Sequence, residues 1–252
     1  MEQYPLGQTY QVNNAALIKV ELQKHSNITR ANKSQSFFKT GKGEYGQGDI
    51  FLGVSVPDQR KIAKKYIDSS LNDIKELLHS KTHEYRLTAI FIIVYKYVKS
   101  SPVDKTRIYK FYLKNTKYIN NWDIIDSSAG YIVGEYLFEQ NNSSKTLGVL
   151  TKLAKSNSIW ERRIAIMSTF AFTMHGDNKP TFAIADVLLH DEHDLVQKAV
   201  GWMLREVGKR ISQELEEQFL KSRYKTMSRT MLRYAIERFE EPKRHKYLNA
   251  QI

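Results

Sequence analysis

Two carboxylates and an indole lie close together in the stretch Asn120–Ser128, and residues of these types could do chemistry. In a helix that begins near Asn121, Trp122 and Asp126 stand four residues apart and share one face. Asp123 and Asp126 would then lie near the positive end of the helix dipole, which favours the ionised carboxylate. The pattern predicts an anionic and aromatic platform for a cationic or electron-poor ligand.

The same stretch also has a purely structural interpretation. Asn120 or Asn121 would cap the helix, Asp123 would complement its dipole, and Trp122 would pack in the core. The stretch alone favours this second interpretation, so the rest of the chain has to decide between the two.

Two further apolar stretches carry candidate ligand-binding residues. Trp160 opens the first, and Arg163 follows on the same side of the predicted helix, where it is either free to bind phosphate or ion-paired with an acid such as Asp126. The second places Gly201 beside Trp202 in a helix interior, where glycine costs roughly 1 kcal/mol relative to alanine. This glycine indicates close packing or ligand access, and the alternative is a core tryptophan beside a gap.

Other catalytic and cofactor-binding patterns fail on their context. The segment Gly41–Gly48 matches a dinucleotide-binding string by letter, but no hydrophobic strand precedes it and no helix opens within it, so we interpret it as a loop. His190–His193 offers metal-ligand types without a third ligand in register, which argues against zinc. The sequence has no cysteine, no P-loop and no nucleophile elbow. We therefore expect neither a metal nor a cofactor.

The net charge of +12 favours an anionic partner. Two acid-free runs concentrate this charge: Lys105–Lys117, with interleaved tyrosines, and Lys221–Arg233. Each run alone is typical of a solvated helix face, but together they favour phosphate contact, with nucleic acid ahead of an anionic membrane. The sequence shows no secretory signal and no membrane span, so we expect a cytoplasmic protein.

Short polar breaks divide most of the chain into segments with apolar residues at helical spacing. The one strand-like pattern is Ile50–Val54. The predicted helices are Gln11–His25, Asn27–Phe38, Ile62–Ile67, Leu71–Leu78, Tyr85–Tyr95, Thr106–Leu113, Trp122–Leu137, Thr146–Ala154, Trp160–Phe172, Thr181–Leu189, Leu195–Val207, Gln213–Leu220 and Ser228–Phe239.

The second helices of successive pairs resemble one another. The segments that begin at Arg86, Arg163 and Lys198 are similar, and Thr230–Tyr234 continues the series. The last three segments begin 35 and 32 residues apart, and Arg86 stands 77 residues, or about two periods, before Arg163. A period of roughly 32 to 40 residues is that of two-helix solenoid repeats.

In a right-handed stack of such pairs, the second helices line one concave surface. Trp122, Asp126, Arg163 and Trp202 all come from second helices, so they could converge there. This convergence favours the ligand-binding interpretation of the Trp122 stretch over the structural one.

Three motifs together resemble those of the AlkD family of alkylpurine DNA glycosylases. They are Trp122–Asp126, Trp160–Arg163 and Lys198–Arg205, in this order and at these separations. The resemblance covers most of the chain, from about Phe37 to Phe239. It implies an all-α fold, a curved α-solenoid of HEAT-like helix pairs with a concave basic groove that binds duplex DNA.

The resemblance also implies a domain organisation and an activity. A single HEAT-like repeat domain would span residues 1–252, with N-terminal helices and the glycine-rich loop in 1–55, repeats in about 56–240 and a short tail in 241–252. The family excises cationic N3- and N7-alkylated purines from duplex DNA without a metal or small-molecule cofactor. We therefore expect a monomeric, nucleoid-associated base excision repair enzyme with no membrane partner. The alternatives are a non-catalytic HEAT-repeat protein that binds duplex or branched DNA, and a protein-interaction scaffold.

Carried over to this chain, the family's site assigns a role to each motif. Asp126 would be the catalytic carboxylate, which stabilises the cationic sugar and positions the attacking water. Trp122 and Trp202 would pack against the lesion's deoxyribose and present their negative π faces to the cation. Arg163, or its neighbour Arg162, would bind phosphate. Further DNA contacts are expected from Lys198 and Arg205, and from Phe37 or Phe38, which stand where the family has a tyrosine.

Overall fold

The computed structural model describes residues 13–252, which form α-helices joined mostly by short loops, with one long connection over residues 38–55. The fold is therefore all-α, as predicted. No helix in this part of the chain is long and apolar enough to cross a membrane. The α-helices are α1 (Asn14–Lys24), α2 (Ile28–Phe37), α3 (Val56–Lys65), α4 (Leu71–Leu78), α5 (His83–Lys99), α6 (Pro102–Lys114), α7 (Trp122–Asp126), α8 (Glu135–Glu139), α9 (Ser143–Ala154), α10 (Ile159–Met174), α11 (Lys179–Val187), α12 (Asp194–Arg210), α13 (Gln213–Lys221), α14 (Arg229–Ala235) and α15 (Glu241–Leu248).

The chain forms two compact units, one ending at Ile92 and the other beginning at Ile93. In the first unit, the segment Ile50–Val54 is not the strand that its sequence suggested. Its one strand-like contact is an isolated bridge from Ile50 to Thr82. The carboxylate of Glu84 instead accepts the next backbone N–H groups, at 2.7 Å from Gly53 and 3.0 and 3.3 Å from its two neighbours. A side chain thus replaces the partner strand.

A buried arginine anchors the start of α5 in this first unit. Arg86 is 3% exposed and donates from Nη2 to Asp49 Oδ2 at 2.7 Å. Its Nη1 donates to the carbonyl oxygens of Ser80 and Lys81, at 3.1 and 3.3 Å. The guanidinium therefore fixes the loop that precedes its own helix, where the Lys81 carbonyl also accepts the backbone N–H of Ile50 at 3.0 Å.

In the second unit, the second helices of successive pairs pack side by side. α10 contacts both α7 and α12, and α12 contacts α14. Two glycines permit this close approach. A Cβ atom on Gly134 would lie 2.3 Å from the carbonyl oxygen of Ser168, and one on Gly201 would lie 2.3 Å from that of Met231. Close packing is therefore the reason for Gly201.

The chain from Trp122 to Leu137 is not the single helix that its sequence predicted. α7 ends at Asp126, a turn follows, and Gly130–Gly134 forms a π-helix before α8 begins. π-Helical turns inside α-helices are rare and occur frequently at functional sites. The interruption gives Asp126 the last position of a short helix.

Candidate functional site

Asp126 and Arg163 form a two-pronged ion pair between α7 and α10. Nε of Arg163 donates to Oδ1 of Asp126 at 2.9 Å, and Nη2 donates to Oδ2 at 2.8 Å. The side chains are 6% exposed for Arg163 and 15% exposed for Asp126. Of the two alternatives for Arg163, the structure shows the ion pair.

The same guanidinium also reaches the first turn of α12. Nη1 of Arg163 donates to the backbone carbonyl oxygen of Leu195. Arg163 therefore uses donors on Nε, Nη1 and Nη2 inside the protein, and it joins three helices at one point. Trp202 lies seven residues beyond Leu195, which places it two turns along the same face of α12.

Opposing effects act on the Asp126 carboxyl. Burial raises the pKa of Asp126 above its ordinary value, and the nearby charge of Asp123 acts in the same direction. The guanidinium of Arg163 opposes both, because it hydrogen-bonds to the ionised form and carries the opposite charge. Arg163 is thus the group that favours a negative charge at a buried position.

A strained residue starts the helix that carries Trp122. Asn121 is 1% exposed and has φ 125° and ψ 148°, a region that non-glycine residues rarely adopt at a cost of order 1–3 kcal/mol. Its side-chain oxygen accepts the backbone N–H of Trp122 at 2.9 Å. The strained cap fixes the register of α7, so that the half-buried Trp122 and Asp126 form the predicted pair at helical spacing.

A buried hydrogen-bond chain ends the same helix. Ser128 Oγ donates to the carbonyl oxygen of Ile124 at 2.7 Å, and it lies 2.9 Å from the hydroxyl of Tyr112. Because the serine proton is used on Ile124, Tyr112 must be the donor to Ser128. Burial raises the pKa of Tyr112, which keeps this donor protonated. These hydrogen bonds, which begin at Tyr112 on α6, therefore fix the turn that directly follows Asp126.

Trp202 is held by an acid on its own helix. Its indole Nε1 donates to Glu206 Oε1 at 3.2 Å, and Arg210 donates to the other carboxylate oxygen at 2.7 Å. These donors lower the pKa of Glu206 despite its burial, which alone would raise it. The hydrogen bond fixes the edge of a half-buried ring.

The other predicted DNA-contacting cations of the second unit also have acid partners. Arg162 forms its own two-pronged pair with Asp191, at 2.6 and 3.3 Å. Lys198 pairs with the exposed Asp194 at 2.9 Å, one helix turn earlier. Arg205 pairs with Glu237 on the turn after α14. Of these three cations, Lys198 has the most exposed pair, which exchanges most readily for a phosphate.

Phe37 and Phe38 lie in the first unit and differ in their surroundings. Phe38 stacks on Phe51 with ring centroids 5.1 Å apart and also contacts the ring of His83 at 4.9 Å. Phe37 is 65% exposed. Of the two candidates, Phe37 is therefore the one whose ring is exposed to solvent.

The glycine-rich loop Gly41–Gly48 closes on its own side chains. The N–H of Gly41 donates to Glu44 at 2.8 Å, and that of Gly43 donates to Gln47 at 2.8 Å. A loop that cradles phosphate needs such N–H groups pointing at the ligand. The loop therefore lacks the arrangement of a phosphate-binding loop.

Sequence reasoning missed several residues that support the site. The carbonyl of Leu195 and the pair Tyr112–Ser128 gave no signal, because contacts between distant helices leave no local pattern. Glu206 was detectable, since it stands four residues after Trp202 on the same helix face.

Comparisons with known proteins point to one family. A sequence model described as DNA alkylation repair enzyme matches residues 18–239. No curated protein matches the chain. A solved structure described as a predicted DNA alkylation repair enzyme from Enterococcus faecalis superposes with a TM-score of 0.68 at 16% identity, covering 86% of this chain and 98% of that one. AlkD2 from Streptococcus mutans gives 0.53 at 19% identity, covering 84% and 98%, and smu.31 from Streptococcus mutans UA159 gives 0.53 at 20%, covering 74% and 92%. At these identities the structural likenesses show the fold alone.

Proposed function

The chain belongs to the family of DNA alkylation repair enzymes, and we propose that it is a monofunctional DNA glycosylase that removes cationic N3- and N7-alkylated purines from duplex DNA. One observation carries the proposal most directly. A nearly buried carboxylate, Asp126, is held by Arg163 and stands one helix turn from Trp122. This arrangement suits a substrate that becomes a sugar cation.

The reaction requires electrostatic stabilisation more than acid catalysis. An alkylated purine already carries a positive charge, so it leaves as a neutral base when the glycosidic bond breaks and takes the bonding electrons with it. The sugar is left as an oxocarbenium-like cation, which the carboxylate of Asp126 stabilises. Water then adds to the sugar carbon and releases a proton, for which Asp126 is the acceptor.

The two tryptophans have complementary roles in this proposal. Trp122 and Trp202 present negative π faces to the developing cation and pack on the deoxyribose. The hydrogen bond from Trp202 to Glu206 limits rotation of its indole. A preorganised aromatic wall needs no rearrangement when the charge forms.

Arg163 acts in this proposal by positioning Asp126. Three of its five N–H groups already bind Asp126 and Leu195, and the side chain is only 6% exposed, so little of the guanidinium is open to a phosphate. We assign phosphate contact on α12 first to Lys198, whose pair with Asp194 is exposed. Arg162, Arg205 and Phe37 stay as further predicted DNA contacts.

One observation favours a second function, a non-catalytic protein that binds duplex or branched DNA. The guanidinium of Arg163 neutralises Asp126, and a neutralised carboxylate stabilises a cation less than a free one does. Under this alternative the ion pair only holds helices together, and the basic chain binds DNA by charge and shape.

Release of free bases distinguishes the two functions. Methylated duplex DNA is incubated with the purified protein, and free 7-methylguanine and 3-methyladenine are measured by mass spectrometry. Time-dependent release supports the glycosylase. No release, with salt-sensitive binding to the same duplex, supports the non-catalytic protein.

A further inference from the structure

A groove with an apolar floor lies between α6 and α9, and none of the residues that line it takes part in the proposed reaction. Its volume is about 440 Å³. Leu113 of α6 forms one side, and Val149 and Leu153 of α9 form the other. The groove is large enough to receive a bulky apolar side chain from a partner.

Lysines border the α6 side of this groove. Lys110 stands three residues before Leu113, so helical geometry places it on the same face of α6, and Lys117 lies in the short 3₁₀-helix that follows α6. Lys114 follows Leu113 directly, and all three lysines are exposed. The basic run that the sequence suggested for phosphate contact therefore flanks an apolar surface.

The α9 side is equally basic. Lys152 lines the groove itself, Lys145 stands four residues before Val149, and Lys155 ends the helix. Across the described part of the chain, none of these six lysines has an acid within ion-pairing distance. No acid occurs at all between residues 140 and 160. The lysines around the groove therefore create a positive electrostatic potential that no ion pair among the described residues offsets.

One carboxylate, Glu161, belongs to the lining. Its Oε1 accepts the hydroxyl of Thr116 at 2.7 Å. Six lysines against this one acid leave the groove strongly positive, so the charge favours an anionic occupant.

We propose that this groove binds an acidic protein segment that carries a bulky apolar side chain. The lysines would attract the segment's carboxylates, and the apolar side chain would leave water by entering between Leu113, Val149 and Leu153. Single-stranded nucleic acid fits less well, because it stacks its bases on aromatic rings and the described lining contains none. Duplex DNA would contact the lysines alone and leave the apolar floor of the groove unused, so the partner is a protein tail or loop.

Fluorescence anisotropy with a labelled peptide, Asp-Asp-Glu-Leu-Phe-Asp-Asp-Glu, tests the proposal. A matched peptide replaces Leu-Phe with Ser-Ser and keeps the charge. We expect it to bind at least about tenfold more weakly, because the burial of apolar area is lost. Equal binding of the two peptides would overturn the proposal by showing a purely electrostatic surface.

Protein variants locate the binding. The double variant Lys110→Glu/Lys152→Glu should weaken binding of the Leu-Phe peptide by roughly tenfold or more, and Val149→Ser should weaken it severalfold. Lys246→Glu, an exposed lysine on α15, is the control for a charge reversal elsewhere in the same unit. Thermal unfolding of each variant shows that the fold is retained.

Two outcomes contradict the assigned site or partner. Weakening by Lys246→Glu equal to that of the double variant would place the peptide elsewhere. Displacement of the peptide by an unlabelled oligothymidine, at a lower concentration than the unlabelled peptide needs, would make the surface a nucleic-acid site instead.

Discussion

Arg162 and Arg163 are neighbours on one helix, and each forms a bidentate ion pair with an aspartate, yet their surroundings differ. Arg162 pairs with Asp191 and also donates to the carbonyls of Ser156 and Asn157, in the loop before its own helix. Arg163 turns away from that loop, to Asp126 and a carbonyl of another helix. Arg162 thus joins α10 to the loop before it and to the loop before α12, whereas Arg163 joins α10 to the helices α7 and α12.

Only the arrangement of Arg162 recurs elsewhere in the described part of the protein, at Arg86 in the first unit and in part at Gln197 in the second. Arg86 donates to carbonyls six and five residues earlier, as Arg162 does, and Gln197 donates to the carbonyl six residues earlier. These contacts align Arg86 with Arg162, one residue away from the alignment that sequence similarity suggested. The next residues are then Leu87, Arg163 and Lys198. The contact to the preceding loop recurs between repeats, so we interpret it as part of the fold. The position that follows it differs between repeats, so function is expected there.

The largest expected effect is a difference between the two arginines in how much each contributes to the free energy of unfolding. Arg163→Gln should lower the free energy of unfolding by about 3–5 kcal/mol, because it leaves Asp126 buried without its guanidinium. Arg162→Gln should cost less, because Asp191, although only 4% exposed, keeps a hydrogen bond from the His193 N–H at 2.9 Å. Urea denaturation measures both. An equal or larger loss for Arg162→Gln would remove the distinction.

Glu216 shows what burial does to a carboxylate without a guanidinium clamp. It is 2% exposed, its Oε1 has no hydrogen-bond partner, and burial raises its pKa to about 9. The stability that this protonated carboxyl contributes is fully present below the ordinary pKa of 4.5 and is lost progressively as pH rises from 4.5 towards 9. Glu216→Gln should therefore gain stability relative to wild type across this window, by on the order of 1 kcal/mol per pH unit.

Glu217→Gln is the matched control for this measurement. Glu217 pairs with Lys243 at 2.7 Å, and donors from Lys243 and Gln213 lower the pKa of Glu217 although burial opposes them. Its contribution is present at neutral pH and is lost as pH falls, which is the opposite sign. If the stability of Glu216→Gln followed wild type across the window, Glu216 would not be protonated in the folded protein.

The pH dependence of excision also distinguishes Arg163 from Arg162, because only Arg163 contacts Asp126. Excision needs ionised Asp126, so its rate falls as pH drops through the pKa of this group. Arg163→Gln removes the group that lowers this pKa and should move the acid limb to higher pH by on the order of one unit. Arg162→Gln should leave the limb in place. The excision rate at each pH is measured as single-turnover release of 7-methylguanine. Equal shifts in both variants would contradict the assignment of Arg163 as the residue that positions Asp126.

The smallest expected effect tests the hydrogen-bond chain behind Asp126. Tyr112→Phe removes the donor to Ser128 and should slow excision severalfold with unchanged DNA affinity, as expected for the loss of one hydrogen bond of about 1 kcal/mol. Tyr109→Phe is the control on the same helix, where the ring stacks on Tyr136 at 3.9 Å. Slowing by both variants alike would indicate a general loss of packing.

Much of the fold could be predicted from the sequence, because each helix buries one periodic apolar face. The start of α7 and the spacing of Trp122 and Asp126 followed from local signals. The end of α7 did not, since Ser128 satisfies a helix carbonyl with its side chain and receives a hydrogen bond from Tyr112 on another helix. A sequence pattern contains no information on such a contact.

The candidate site divides in the same way. Arg163 had two partners open to it from the sequence, and only the packing of α7, α10 and α12 selects Asp126. The partner of Arg162, Asp191, is 29 residues away and gave no signal beyond its charge. Ser158 caps α10, but the Glu161 carboxylate does not accept the Ser158 backbone N–H in return and instead accepts the hydroxyl of Thr116.

The most direct test of the central claim compares Asp126→Asn with Asp191→Asn. Each removes the charge from one clamp on α10, so a purely structural role predicts similar losses. Base release from methylated duplex DNA, measured under single-turnover conditions, should fall by on the order of 10²–10³-fold for Asp126→Asn and stay near wild type for Asp191→Asn. Excision that persists in Asp126→Asn, or falls equally in both variants, would contradict the assignment of Asp126 as the catalytic carboxylate.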